Sequence, residues 1–389
     1  MSFSTLLELE ACPRRCALKS AEYPEVWEHR GYPNAPHSAA LEGIVVHSAI
    51  ERIASALAKR GCTSVQDESA LETLIELGGY TEIVSKCIVS AVRQYEGNPR
   101  AESVLETVRR GLATRLPELR SRVQRQVSRI HPAARIGRAI SATIQYEQEG
   151  RLQIPEGSHA EVEVRVPDLG WHGFLDLLTL SKPLCEIRDF KTGSMKEVDD
   201  FQLRIYALLW ARDRELNPSG RLANKLVLSY NERDVEIVAP STDCLCLLVE
   251  ELTNRTARAL ATIQLRSPEA RPSSEYCSCC SVRHLCDEYW KWADRDGKDQ
   301  DSPMVRFTDI EIELAGRHGP SSWDGIMQGS SGSNSAEPVL LRTANVQFDL
   351  NSGQRIRVLN VHLNRPNEGE HVPVVATMGA SSEMFLVPR

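Results

Sequence analysis

The chain has 389 residues, of which 41% are hydrophobic and 25% are charged. This composition supports a large buried core and predicts two domains, and no apolar run is long enough to span a bilayer. The N-terminus lacks the apolar core of a signal peptide, so we expect a cytoplasmic protein without a membrane partner. In that compartment, eleven cysteines indicate metal ligands and buried thiols and not disulfides. The net charge of −7 does not favour nucleic-acid binding, which would require a local excess of positive charge.

The N-terminal part is predicted to be helical. Ser2 to Glu10 has the pattern of a short capped helix, and it leads into a Cys-Pro-Arg segment that begins at Cys12. Apolar residues at spacings of three and four from Leu41 to Ile53 predict a helix that packs on a core. His47 and Glu51 lie one turn apart on this helix, where such residues are usually structural.

An arginine-rich segment follows between Arg100 and Arg138. It contains ten arginines, three glutamates and no lysine, which is a local charge balance of +7. An apolar stripe predicts a long helix pair, kinked at Pro117, with the arginines on its polar face. Such a face is either a solvated surface or a phosphate-binding surface, and the planar guanidinium suits phosphate oxygens. We predict a helical arginine-rich region at about 60–140 that binds nucleic acid through Arg109, Arg110, Arg122, Arg125 and Arg129.

Two predicted strands carry a pair of carboxylates. The first strand runs from Gly173 to Leu180 and contains Asp176, and the second begins at Cys185 and ends in Asp189-Phe190-Lys191. A hairpin between the strands would bring Asp176 towards Asp189. Two neighbouring carboxylates raise each other's pKa unless a cation lies between them, so the pair predicts a divalent metal site.

A predicted helix from Phe201 to Trp210 places Gln202 and Tyr206 on one face. The motifs Gly-x-x-Asp, Asp-x-Lys and Gln-x-x-x-Tyr, in this order, resemble the RecB-like branch of the PD-(D/E)XK nuclease superfamily, which includes CRISPR-associated exonucleases. The resemblance covers residues 1–290 and implies an α/β fold. The expected architecture is a restriction-endonuclease-like core, in which helices flank a mixed central sheet, with an inserted helical region and a small C-terminal β-rich domain.

The resemblance also implies the roles of the site residues. His47 follows the family pattern Gly-x-x-x-His and is expected to bind the catalytic metal, whereas Glu51 is interpreted as structural. The family carries a metal-supporting glutamate on the preceding strand, where alternation places Glu161 and Glu163 on one face; we name Glu161, with Glu163 as the alternative. The expected metal ligands are His47, Asp176, Asp189, the backbone carbonyl of Phe190 and Glu161.

Three polar residues complete the expected catalytic set beside Asp176 and Asp189. Lys191 is expected to orient or deprotonate the attacking water, either through a lowered pKa or as a fixed cation. Gln202 and Tyr206 are expected to hold the substrate strand or the neighbouring active-site residues.

The cysteines of the segment from Tyr276 to Cys286 form a second motif, Cys-x2-Cys-x5-Cys. This is the spacing of the C-terminal cluster ligands in the RecB-like family, whose first ligand lies in a Cys-Pro-Arg segment. The resemblance implies a [4Fe–4S] cluster that staples the chain ends, although four thiolates also suit zinc. Cys16 is interpreted as a small core residue, and Cys279 and His284 as substitute ligands. The predicted cluster ligands are Cys12, Cys277, Cys280 and Cys286.

The resemblance ends near residue 290. A charged and glycine- and serine-rich stretch predicts a linker and loop at 291–336, and short strands predict a β-rich C-terminal domain at 337–389. Arg355 and Arg357 on one strand face suit an OB-like barrel that binds oligonucleotides. The alternative is a small sheet that docks on the nuclease domain or on a partner protein.

The sequence therefore predicts a Mg²⁺- or Mn²⁺-dependent deoxyribonuclease. Its expected substrate is DNA that is single-stranded or has free ends, and DNA repair, CRISPR adaptation and antiphage defence are all open as its setting. A catalytically silent nucleic-acid-binding protein and a redox-sensing iron–sulfur protein are the two alternatives.

Overall fold

The computed structural model describes residues 1–28, 31–102, 104–134, 151–295, 308–327, 337–343, 349–366 and 372–387. Of the predicted features, Arg135, Arg138 and the glycine- and serine-rich loop at 329–335 lie outside the described residues. The chain divides into two compact units: unit 1 is Met1–Glu10 with Pro33–Thr262, and unit 2 is Ala11–Tyr32 with Ile263–Arg389. Within the described ranges, no helix is both long enough and apolar enough to cross a bilayer.

The described α-helices are α1 (Phe3–Ala11), α2 (Pro13–Ser20), α3 (Pro24–Trp27), α4 (Ser38–Arg60), α5 (Glu68–Glu76), α6 (Gly79–Arg93), α7 (Leu105–Thr114), α8 (Leu116–Val127), α9 (Glu197–Arg212), α10 (Thr242–Ile263), α11 (Ser274–Cys277) and α12 (Asp287–Arg295). The described strands are β1 (Gly157–Val166), β2 (Trp171–Leu180), β3 (Cys185–Phe190), β4 (Lys225–Ser229), β5 (Asp234–Ile237), β6 (Thr308–Gly319), β7 (Ser322–Met327), β8 (Glu337–Arg342), β9 (Arg355–Asn364) and β10 (Val374–Leu386). Two short 3₁₀ helices lie at Pro167–Leu169 and Arg283–Leu285.

Unit 1 is built on a mixed five-stranded sheet in the order β1-β2-β3-β4-β5. Neighbouring strands are antiparallel except β3 and β4, which are parallel and are joined by the crossover helix α9. Helix α4 packs against β1 and β2, and α9 packs against β1 to β4. A mixed sheet flanked by helices confirms the predicted α/β class.

Helix α4 is the central helix of the helical layer in unit 1. Its apolar residues recur at the spacing that the sequence predicts, and Leu41, Val45, Ile50 and Leu57 are fully buried in one cluster with residues of α6 and α8. The helix ends at Gly61, whose φ of +80° is a left-handed conformation that glycine adopts without strain. This burial fixes α4, and with it the position of His47.

The arginine-rich segment differs from the predicted kinked helix. It forms two separate helices, α7 and α8, which meet at Arg115, and Pro117 lies in the first turn of α8. Proline is compatible with a first turn because the backbone N–H it lacks has no partner inside the helix. Pro117 therefore starts a helix instead of bending one.

Strand β3 is buried along its whole length, which places charged residues in the interior of unit 1. The Arg188 side chain is only 3% exposed and forms ion pairs with Glu186 and Asp234. Asp234 also pairs with Arg129, which follows the end of α8 and whose Nε lies 3.0 Å from the Oδ1 of Asp234. A buried charge requires such partners, so this network holds β3 in its place between β2 and β4.

Unit 2 contains a closed barrel in the order β10-β8-β7-β6-β9, in which β8 and β10 are parallel. Strands β6 and β7 lie at 308–327, so here the structure differs from the linker that the sequence predicts at 291–336. The physical reason is that Ile310, Ile312 and Leu314 face the barrel core, whereas acidic residues alternate with them. The linker prediction rests on the charged stretch before these strands and the glycine- and serine-rich stretch after them.

Candidate active site

Three carboxylates lie in one row across β1, β2 and β3. Glu161 lies between the register pairs Ala160–Leu177 and Val162–Leu175 of β1 and β2, next to Asp176. Asp189 follows the last register pair of β2 and β3, Leu177–Arg188, which places it next to Asp176 on the other side. The backbone N–H of Phe190 donates to Asp176 Oδ2 at 2.6 Å, which fixes this carboxylate against β3. Like charges directly opposite each other on adjacent strands repel, so the row requires a compensating positive charge.

Helix α4 adds a histidine to this row. Nδ1 of His47 lies 3.5 Å from Asp176 Oδ2, and ligand atoms of His47, Glu161 and Asp176 all lie within 4.8 Å of one another. An imidazole nitrogen and carboxylate oxygens at this separation can share one divalent cation. The structure therefore brings together three of the predicted metal ligands, from α4, β1 and β2. The other two, Asp189 and Phe190, line the adjoining cavity but are not part of this group.

Glu161, and not Glu163, lies at this site. Its φ of +51° is in the left-handed region, which is strained for a residue with a side chain. Glu163 forms an ion pair with Arg165, whose Nη2 lies 2.6 Å from its Oε2. The unusual backbone at Glu161 distinguishes two glutamates that the alternation of the strand places on the same face.

The electrostatics of the row follow from burial and mutual repulsion. Desolvation, and next the charge of Asp176, raise the pKa of Glu161, an exposed residue, to about 7. Burial, and next the charge of Asp176, raise the pKa of Asp189 to about 7. Burial lowers the pKa of His47, but the hydrogen bond and charge of Asp176 with the charges of Asp189 and Glu161 outweigh it, so the net shift is upward. The metal-free row therefore retains protons near neutral pH, and a divalent cation would replace them.

The predicted polar residues lie beside the row. Lys191 Nζ lies 2.8 Å from Asp189 Oδ2 and donates to Gln202 Oε1 at 2.6 Å. The Gln202 amide in turn donates to the Tyr206 hydroxyl at 2.7 Å. A Cβ at Gly173 would lie 3.0 Å from the Tyr206 ring, so the glycine of the Gly-x-x-Asp motif leaves room for this side chain. Carboxylate, ammonium, amide and phenol thus form one chain of contacts.

Sequence analysis missed two residues that hold Lys191. Asp199, in the first turn of α9, is buried, and its Oδ1 lies 3.7 Å from Lys191 Nζ. Gln126 of α8 donates to the backbone carbonyl oxygens of Lys191 and Ser229, each at 3.1 Å. An aspartate early in a helix is an ordinary capping signal, and no spacing in the sequence links Gln126 to a strand 65 residues away.

The catalytic candidates open onto one cavity. Its lining residues come from α4, the middle of β2, the end of β3, the loop after β3 and the first half of α9. They are His47, Asp176, Asp189, Phe190, Lys191, Thr192, Gly193, Ser194, Lys196, Asp199, Gln202 and Tyr206. A ligand in this cavity can reach Asp176, Asp189 and Lys191 together.

A family model of the PD-(D/E)XK nuclease superfamily matches residues 1–287. The chain belongs to this superfamily. The match confirms the superfamily that the motif order predicts, and with it a nuclease-type hydrolase whose family relatives use divalent metals. The nuclease motifs lie in unit 1, and the matched range extends into the cysteine segment of unit 2.

The solved structures that match this chain resemble it only weakly. None of the curated proteins matches the nuclease chain. Solved structures that match include the tetrameric p202 HIN2 (14% identity, TM-score 0.17, 21% of this chain and 43% of that one), a murine DNA-binding protein bound to double-stranded DNA (10%, 0.19, 42% and 62%) and SSO0001 (18%, 0.22, 34% and 61%). The nuclease chain spans less than two-thirds of each of these structures, and the TM-scores are too low to support a shared fold.

Three of the five predicted nucleic-acid-binding arginines are exposed. Arg109 and Arg110 both pair with Glu106 on the same helix. The guanidinium of Arg125 donates to the amide oxygen of Asn231 at 3.0 Å. Exposed pairs of this kind are weak, so these guanidinium groups can exchange their partners for phosphate.

The other two arginines have structural partners in the nuclease unit. Arg122 pairs with Glu118 on α8 and with Glu42, a buried residue of α4. Arg129 pairs with Asp234 and donates to backbone carbonyl groups of the turn after β4. Both side chains are mostly buried, so the structure uses them to fasten α8 to α4 and to the sheet.

The four predicted cluster ligands line one cavity of unit 2. Cys12, Cys277, Cys280 and Cys286 surround it together with Arg15 and Arg283. Burial raises the pKa of the thiols of Cys277, Cys280 and Cys286, in the last case to about 11. Binding of a metal or cluster as thiolates would therefore release protons.

The two substitute ligands lie differently. Cys279 is exposed. His284 is buried, and its Nε2 lies 2.6 Å from the Tyr32 hydroxyl, while its ring stacks on Phe385. Cys16, interpreted as a core residue, is partly exposed. The geometry therefore favours the four cavity-lining thiols over Cys279 and His284.

We expect the stabilisation of this nuclease by Mn²⁺ to increase with pH. The pKa of about 7 for Glu161 and Asp189 exceeds the value of about 4 in an unfolded chain, so metal-free stability falls as pH rises through that window. Mn²⁺ replaces the bound protons and removes this loss. The Mn²⁺-induced rise in melting temperature should be larger at about pH 8 than at about pH 5.5.

Glu161→Gln removes one of the titrating carboxyl groups and one expected metal ligand, so both the Mn²⁺-induced shift and its pH dependence should decrease. Equal melting-temperature shifts at both pH values in the wild type would contradict the assignment of protons to the row.

Proposed function

We propose that this chain is a Mg²⁺- or Mn²⁺-dependent deoxyribonuclease of the RecB-like branch, which hydrolyses phosphodiester bonds in DNA that is single-stranded or has free ends. The observation that carries the proposal is the carboxylate row of Glu161, Asp176 and Asp189, with His47 on one side and Lys191 on the other. A cytoplasmic role in DNA repair, CRISPR adaptation or antiphage defence belongs to the same proposal.

The residues of the row and two of their neighbours form the proposed metal-binding part of the site. His47, Glu161, Asp176 and Asp189, with the backbone carbonyl of Phe190, would hold the cation. A bound divalent ion supplies Lewis-acid polarisation of the scissile phosphate and a more acidic water. Glu161 and Asp189 must release protons before they bind the cation, and their raised pKa values place this release near neutral pH.

Lys191 and α9 form the second part of the site. The Lys191 ammonium would face the phosphate and the attacking water, where it offsets negative charge and orients the nucleophile. Gln202 receives one of its hydrogen bonds, and Tyr206 fixes Gln202, so the ammonium has a defined position. The chain of contacts favours a role for Gln202 and Tyr206 in holding active-site residues.

Charge distribution supports a nucleic-acid surface on unit 1. The exposed Arg109, Arg110 and Arg125 are the candidates for phosphate contacts. In unit 2, residues 308–387 contain nine acidic and five basic side chains, and Arg355 and Arg357 of the barrel both pair with Glu311. An acidic barrel with engaged arginines is a poor surface for DNA, so we assign the barrel to a protein partner.

We propose that the four thiols hold a [4Fe–4S] cluster. All four thiols line one cavity, and three of them have the Cys-x2-Cys-x5-Cys spacing of the RecB-like cluster ligands. Four thiolates can hold either an iron–sulfur cluster or zinc, and the resemblance favours the cluster. Its role would be structural, since Arg283 of the same loop pairs with Asp309 and bonds to Asn360 in the barrel.

Cleavage of end-labelled single- and double-stranded DNA tests the nuclease. We expect the wild type to cut with Mn²⁺ or Mg²⁺ and not with chelator, and Lys191→Ala to lose about 100-fold or more in rate because the fixed ammonium is removed. Lys86→Ala, which removes an exposed cation on α6, is the control and should cut normally. A metal-loaded wild type that binds DNA without cutting it would support the silent binding protein instead.

Metal content tests the cluster. Protein purified without oxygen should contain about four iron and four sulfide atoms per chain, and Cys286→Ser should lose them because Cys286 lines the thiol cavity. Cys279→Ser, from the same segment, should retain them because Cys279 is exposed. One zinc per chain without sulfide would contradict the cluster, and a labile cluster without metal-dependent cleavage would favour the redox sensor.

A further inference from the structure

We propose that Asp199 is a positioning residue that holds the Lys191 ammonium and thereby leaves Asp189 available to the divalent cation. This inference rests on the proposed function, because it assumes that the carboxylate row binds a metal. It assigns a role to a buried acidic group outside the family motifs that the sequence carries.

The contacts of Asp199 fix its carboxylate in one orientation. The residue is only 7% exposed. Its Oδ2 accepts hydrogen bonds from the Tyr230 hydroxyl at 2.8 Å and from the backbone N–H of Lys196 at 3.0 Å. Its other oxygen, Oδ1, lies 3.7 Å from Lys191 Nζ. One oxygen therefore anchors the side chain, and the other presents negative charge to the lysine.

The Lys191 ammonium and the proposed metal ion both interact with the carboxylate of Asp189. In the metal-free arrangement the ammonium lies 2.8 Å from Oδ2 of Asp189, a carboxylate of the row that is proposed to bind the cation. Two cations that share one carboxylate compete for it, and a mostly buried ammonium that loses its counter-charge is destabilised. Metal binding at Asp189 therefore requires another anion near Lys191.

Asp199 supplies that anion. Gln202 also accepts a hydrogen bond from Lys191, but its amide oxygen carries no net charge. Within the described part of the chain, the carboxylates that pair with Lys191 are those of Asp189 and Asp199. When the cation occupies Asp189, Asp199 is the remaining carboxylate partner, and its two anchoring hydrogen bonds keep it in place.

The neighbouring residue offers a matched control. Asp200 also lies in the first turn of α9, so both aspartates interact favourably with the helix dipole. Asp200, however, is only half-buried and pairs with Arg204, whose Nη2 lies 3.0 Å from its Oδ2. Asn at either position removes one charge from the same helix turn, but only the change at Asp199 removes a partner of Lys191.

Mn²⁺ affinity, measured as free Mn²⁺ by electron paramagnetic resonance on the full chain, tests the proposal without DNA. We expect Asp199→Asn to weaken Mn²⁺ binding about tenfold, and Asp200→Asn to change it less than about twofold. The effect must pass through the lysine, so adding Asp199→Asn to Lys191→Ala should change the affinity little. An equal loss in that background would show direct attraction between Asp199 and the metal and would overturn the proposal.

A second variant covers the case in which Asp199→Asn does not fold. Tyr230→Phe keeps the Asp199 charge and removes one anchoring hydrogen bond, so we expect a smaller loss of Mn²⁺ affinity, about two- to threefold. At saturating Mn²⁺, both variants should lower kcat more than they raise KM for DNA. Normal Mn²⁺ affinity and kcat in both variants would overturn the proposal.

The outcomes separate this inference from the proposed function. A wild type that binds Mn²⁺ but cuts no DNA contradicts the nuclease, while the Mn²⁺ affinities of the variants still decide the role of Asp199. A wild type that binds no Mn²⁺ overturns both.

Discussion

Repulsion among carboxylates on three adjacent strands is the constraint on which unit 1 depends. Glu161, Asp176 and Asp189 stand in one row of a sheet whose strands lie about 4.8 Å apart. Their charges are acceptable only with protons, cationic side chains or a metal nearby. The buried helix α4 positions His47 beside this row, and α9 positions the partners of Lys191. The fold thus concentrates negative charge where a divalent cation would be stabilised most.

Sequence patterns predicted the motif residues of the site but not the residues that hold them in position. Asp176, Asp189, Lys191, Gln202 and Tyr206 lie in short motifs whose spacing follows strand and helix geometry. The support depends on tertiary contacts between distant elements, such as the hydrogen bonds of Gln126 to two strand ends. In the same way, Arg122 and Arg129 are indistinguishable in sequence from the exposed arginines, because their carboxylate partners come from other elements.

The fold could be predicted where periodicity was strong. The apolar spacing of α4 and the alternation of β1 correspond directly to the observed elements. The first two strands of the barrel were not predicted, although Ile310, Ile312 and Leu314 alternate with polar residues, because an Asp- and Lys-rich stretch precedes them and a glycine- and serine-rich stretch follows them. Unit 2 also combines 11–32 with 263–389, a grouping that depends on contacts between distant parts of the chain and has no local signal.

Anomalous X-ray diffraction from crystals soaked in Mn²⁺ tests the central claim most directly. The account predicts one strong manganese peak among His47, Glu161, Asp176 and Asp189, with Lys191 directed towards Asp199. The absence of a peak at the carboxylate row, while manganese binds elsewhere on the chain, would contradict the account.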